Sequence, residues 1–204
     1  MMNILFKSTL HSAKSSFIRQ NSGLTALELL ITLSIAAILF SLATPGFSTL
    51  ISNSRMSSSL SSLEKNLKLA RIEALTNQGS VIICGSINDS TCSESTSWKT
   101  GYMSFLDIKN LGRPSKTDVD QKFIQLVQEQ PDNTSIHISA PKNYIRFNSD
   151  GSALENNGTL WICDDRGEEF AKGIFVTPIG LIRSAKDLDK DGIINVDDSE
   201  NVYC

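Results

Sequence analysis

The stretch DLDKDGIINVDD, residues 187–198, concentrates metal-ligating side chains near the C-terminus. Asp187, Asp189 and Asp191 alternate, and Gly192 allows a sharp turn. The Ile193 carbonyl supplies a backbone oxygen, and Asn195 and Asp198 follow at the spacing of an EF-hand-like or dockerin-like calcium loop. Hard oxygen donors in this order predict calcium. Two features depart from that pattern: Asp198 stands where such loops close with a bidentate Glu, and no flanking helices are evident. The plainer reading is an acidic surface turn, since Asp-Gly pairs are common in turns. The register of oxygen-bearing side chains favours the cation. No organic cofactor is expected.

Cys84, Cys92, Cys163 and Cys204 are the other reactive set. Their even number fits two disulfides in an oxidising compartment. Three pairings are open. The favoured one joins Cys84 to Cys92 as a local loop clamp and Cys163 to Cys204 as a tie for the tail. Zinc would need a C-x-x-C pair or a nearby His, and the sequence has neither. His137, in the alternating stretch TSIHIS, reads as a structural strand residue. No Ser-His-Asp or paired-carboxylate spacing is recognisable, so an enzyme is not expected.

Glu28 poses a different question, because it heads an apolar run. From Leu29 to Ser54 there is no Asp, Glu, Lys, Arg or His. Roughly 20 such residues span a bilayer core as a helix, and a charge beside hydrocarbon is costly unless it is paired or interfacial. The run predicts a membrane helix in the first half of a longer one. The preceding residues carry Lys7, Lys14 and Arg19 and no acid, which keeps that end cytoplasmic. Beyond Ser54 the pattern turns amphipathic, with Leu60, Leu63, Leu67, Ala70 and Ala74 at steps of three and four. One helix is predicted over about 24–77, kinked near Pro45 and capped by Gly79.

After Gly79 the period changes to that of strands: SVIICG, GYMSFLD, KFIQLVQEQ, TSIHIS, NYIRFN, TLWICD and GIFVTP. A helix followed by strands implies an α+β fold, the helix packed on an antiparallel β-sheet domain. The whole chain, 204 residues at a net charge of −3, is not primed for nucleic acid without a local basic patch.

The N-terminal residues resemble the class III signal of type IV pilins and pseudopilins: a basic leader ending in Gly, a hydrophobic residue, then Glu five places into the mature chain. Gly23, Leu24 and Glu28 match, with Leu24 where the family usually has Phe, and Pro45 falls where pilins commonly kink. The resemblance implies cleavage between Gly23 and Leu24 by prepilin peptidase, which also N-methylates Leu24. It further implies that Glu28 faces the Leu24 ammonium of a neighbouring subunit in a filament. In low dielectric an unpaired charge is heavily penalised, so that pair would set register. Partners would be other pilins or pseudopilins, the peptidase, an inner-membrane assembly platform and the membrane itself.

The remainder resembles the GspH/FimT branch of that superfamily, through LARIEAL at 69–75, the Cys84 to Trp98 loop with Gly101-Tyr102, FNSDG at 147–151 and TLWICD at 159–164. This implies a leader over 1–23, a pilin helix over 24–78 and a periplasmic β-domain over 79–204 ending in the acidic loop. The implied protein is a single-pass inner-membrane minor pilin or pseudopilin, acting at a filament tip. Some FimT-like members bind DNA through Gly-Arg-x-Arg. The matching Gly180-Leu181-Ile182-Arg183 lacks the first arginine. Only Arg183 and Lys186 remain, beside carboxylates that oppose phosphate. DNA is therefore not the favoured partner.

Overall fold

The computed structural model describes residues 23–87, 91–107, 111–112, 122–128, 133–196 and 200–204, with backbone alone for 42–46 and 125–128. The chain divides into two compact units, Met1–Pro45 and Gly46–Cys204. Helix α1 is assigned over Ala26–Asn77. Pro45, where a kink is expected, falls among the residues without described side chains, and Asp198 lies outside the described residues altogether.

In the first unit the N–H of Glu28 donates to Thr25 Oγ1 at 3.2 Å, so Thr25 caps the helix. Glu28 itself lies in the first turn, where a carboxylate favours the positive end of the helix dipole. The hydroxyls of Thr32, Ser34 and Ser41 donate to the carbonyls of Leu29, Leu30 and Ile38. Back-bonding of this kind hides the polar groups of an apolar helix. Large apolar side chains from Leu24 to Phe40 are exposed. Among the described residues, however, no helix is long and apolar enough to cross a membrane. The spanning half expected of the helix is therefore not found there.

In the second unit, Met56, Leu63, Leu67, Ala70 and Ala74 form a wholly buried stripe of α1. Helical spacing puts them on one face. They share one core with two sheets rather than the single sheet expected. The first sheet has the order β2-β1-β3-β4, with β6 on β1: β1 Ser80–Ile87, β2 Thr91–Cys92, β3 Gly101–Asp107, β4 Phe123–Gln128 and β6 Tyr144–Phe147. The second has the order β5-β7-β8-β9: β5 Thr134–Ser139, β7 Gly158–Asp164, β8 Lys172–Val176 and β9 Ile182–Ser184. Every pairing is antiparallel. Strand β2 is absent from the periodicity because two residues are too few to alternate, and β9 carries Arg183 as an exposed residue of a last strand.

Trp98 joins the two sheets. Its N–H donates to Ile136 O, Ile138 N–H donates to Thr96 O, and Ser97 bridges His137, so the loop before β3 lies on the edge of β5. The Cys84–Cys92 disulfide clamps that loop at its root. Gly85 makes room for the indole, since a Cβ there would meet Trp98 Cγ at 2.8 Å. At the end of α1 the left-handed residue is Gln78, with φ 50°, not Gly79 as expected. Gly79 N–H instead reaches back to Ala74 O at 3.3 Å, the outer bond of a Schellman cap.

Candidate functional site

The face of the second sheet turned away from α1 carries Thr159, Trp161 and Cys163 on β7, because side chains alternate along a strand and Leu160 and Ile162 enter the helix-side core. The chain after β9 folds over this outer face. Ile193, Ile194, Val196 and Val202 pack there with Trp161, Cys163 and Ala171 as a separate apolar cluster. Thr159 Oγ1 donates to Val196 O at 2.6 Å, and Trp161 Nε1 donates to Tyr203 O at 2.9 Å. The Cys163–Cys204 disulfide pins the end of the tail. Both bridges thus join the pairs favoured from the sequence.

The acidic loop lies within this cap. One ligand oxygen from each of Asp187, Asp189 and Asp191 falls within 4.8 Å of the others. The loop turns through Lys190 at φ 65° and Gly192 at φ 98°. Asp187 accepts from the N–H groups of Lys190 (2.6 Å) and Gly192 (3.0 Å), and Asp191 Oδ1 accepts from Ile193 N–H. Slight burial works against the charged form of Asp187, but the Gly192 and Lys190 N–H groups outweigh it and hold its carboxyl below the usual range. Asn195 takes a different part from the one its spacing suggests. Its Oδ1 accepts from Leu188 N–H and its Nδ2 donates to Asn201 Oδ1. Asn201 also donates to Asp191 Oδ2. Asn195 therefore ties the loop to the tail. All-oxygen donors converging this closely fit a hard cation such as calcium.

Arg183 and Lys186 are both exposed and line one cleft beside the loop. His137 stacks on Trp161 at 5.6 Å, meets Tyr203 edge-on and pairs its Nε2 with Ser135 Oγ at 2.8 Å. Burial, and then the charge of Lys99, lower its pKa from the ordinary 6.5. His137, Trp161 and Tyr203 thus form a packed aromatic cluster. At the other end of the chain, Gly23, Leu24 and Glu28 are all exposed.

Arg166 is the residue that sequence reasoning missed. Its guanidinium grips Asp164 at 2.6 Å, donates to Asn53 Oδ1 at 2.8 Å and lies 4.4 Å over the Phe170 ring. It thereby fastens β7 to α1. Burial raises the pKa of Asp164, yet bonds from Arg166 outweigh it and hold the carboxyl below its usual value. The only local signal was D-D-R-G, which reads equally as a turn.

A helix packed on antiparallel sheets, with an exposed apolar segment and one first-turn acid at its N-terminal end, is the build of a type IV pilin-like subunit. The chain belongs to the GspH family, whose model, described as Type II transport protein GspH, matches residues 60–180. No curated protein matches it. Two crystal structures of the type IV minor pilin FimU from Pseudomonas aeruginosa PAO1, in space groups P21 and P65, are similar in fold. They are 12% and 13% identical, cover 67% and 64% of this chain and 92% of each of theirs, and have TM-scores of 0.48 and 0.47.

Proposed function

We propose that this protein is a minor pilin or pseudopilin that primes a type IV pilus or type II secretion filament. Prepilin peptidase cleaves after Gly23 and methylates Leu24. The apolar segment anchors the subunit in the inner membrane, with the β-domain in the periplasm, until an assembly platform moves it into the filament beside other pilins. It works by packing, not by catalysis. The observation that carries this reading is the exposed apolar surface from Leu24 to Phe40 with a lone carboxylate, Glu28, in the first turn. Such a surface needs lipid or neighbouring helices to cover it, and the acid needs a cation beside it. Glu28→Ala is expected to leave membrane insertion and processing intact while depleting the subunit from the sheared filament fraction. Incorporation equal to the unaltered protein would remove the pairing with the Leu24 amine.

A cation at Asp187, Asp189 and Asp191 belongs to the same proposal. Calcium there would offset the mutual repulsion of the three carboxylates and stiffen the cap. Millimolar calcium should raise the melting temperature, and Asp189→Asn should abolish the rise. No calcium effect on melting or in calorimetry would return the loop to an acidic turn.

DNA binding is the alternative reading, favoured only by the exposed Arg183 and Lys186. Affinity no better than about micromolar, the range of non-specific contacts, is expected at physiological salt. Submicromolar, salt-sensitive gel shifts would reverse the order of the two readings.

A further inference from the structure

The cap on the outer face of the second sheet covers one row only at its β7 end, where Thr159 is buried. Register places Thr159 opposite Phe175, and Phe175 opposite Arg183, so these three form a row across β7, β8 and β9. The next row, Trp161 opposite Gly173, is covered, with Ile194 and Ala185 closing over Gly173. Between the covered row and the strand ends, Phe175 is left half-buried as the floor of a cleft of about 280 Å³. Val196 and Leu188 give it apolar walls, and Arg183 and Lys186 stand beside them.

These two cations form no ion pair among the described residues, although the chain as a whole is acidic. The acid next in sequence turns its carboxylate into its own loop, where both Asp187 oxygens accept N–H groups. An apolar floor beside two cations that pair with no acid among the described residues is complementary to a bulky apolar side chain next to a carboxylate. We propose that the cleft formed by Phe175, Arg183, Lys186 and Leu188 docks an acidic peptide segment of a partner subunit, which inserts one aromatic or branched apolar side chain and pairs its carboxylate with Arg183 and Lys186.

Size and charge select this occupant. At about 280 Å³ the cleft lies at the small end of ligand pockets and has room for an anchoring side chain of an interface. Nucleic acid needs a track of phosphate contacts. Among the described residues the cleft offers two cations, too few for such a track. The inference requires neither calcium nor the cleavage at Gly23.

The test is calorimetric titration of the full chain in detergent with the capped tripeptide acetyl-Glu-Phe-Asp-amide. Controls are acetyl-Gln-Phe-Asn-amide, acetyl-Glu-Ala-Asp-amide and a single-stranded oligothymidylate. The acidic aromatic peptide is expected to bind at least about tenfold more tightly than either peptide control, and more weakly as salt rises. Arg183→Ser with Lys186→Ser should weaken it by about tenfold or more while melting stays unchanged, since both are surface residues. Phe175→Ala should do the same through the floor, and Leu188→Ala gives a second apolar probe should Phe175→Ala unfold. No saturation at millimolar peptide, equal binding of the controls, an unchanged affinity in the double variant, or preference for the oligothymidylate would each overturn the proposal.

Discussion

Replacing Cys163 and Cys204 by Ala removes the covalent tie on the cap while leaving its non-covalent contacts in place. The bond closes a separation of 41 residues, against 8 for Cys84–Cys92. On the chain-entropy relation these loops correspond to about 4 and about 2.5 kcal/mol. What then holds the tail is the burial of Val202, roughly 2 kcal/mol, and a few hydrogen bonds at about 1 kcal/mol each, among them Val202 N–H to Ile194 O and Trp161 Nε1 to Tyr203 O. Ordering the tail costs about 1–2 kcal/mol per residue. Gain and cost nearly cancel, so the untied tail should detach locally before the domain unfolds. Trp161 reports that step, being 1% exposed beneath the cap, whereas Trp98 sits between the sheets and should not respond. The assay is urea unfolding followed by tryptophan emission. The double variant should lose about 2–4 kcal/mol and show red-shifted emission already in the native baseline. A loss below about 1 kcal/mol with an unshifted baseline would refute the strap.

Gln78→Gly should stabilise the domain by up to about 1 kcal/mol in urea melts, because Gly takes the left-handed cap without the Cβ penalty. Gly85→Ala should cost about 1–3 kcal/mol by driving a methyl into the Trp98 indole, measured in the same way. The lowered pKa of His137 means that the unfolded chain takes up a proton before the folded one. Stability should therefore fall as pH drops below about 6.5, until the folded pKa is passed. His137→Gln should flatten that slope between pH 7 and 5 in thermal melts.

Burial at steps of three and four was legible in α1, because Leu63, Leu67, Ala70 and Ala74 can share one face in only one way. The main strands were legible through their alternation. The splitting of those strands into two sheets was not. It depends on Trp98 and Ser97 reaching the edge of β5, a contact made by backbone groups that leave no trace in residue type. Arg183 was legible as a solvated residue of a last strand, but its cross-strand neighbour Phe175 stayed hidden, because register is set by the fold. The aspartate cluster was visible because its three carboxylates lie within five consecutive residues. The partners of Asn195, Leu188 and Asn201, were not legible, since they are set by the tail folding back. Arg166 lies far from Asn53 in sequence, and only the fold brings them together.

The central claim is that this GspH-family chain is processed and assembled as a pilin-like subunit. The most direct measurement is the intact mass and N-terminal peptide of the protein recovered from the sheared filament or pseudopilus fraction. The expected chain begins at N-methylated Leu24, with Gly23→Ala accumulating as full-length precursor in the membrane. A filament-associated chain that still carries residues 1–23, or a Gly23→Ala protein processed like the unaltered one, would contradict it.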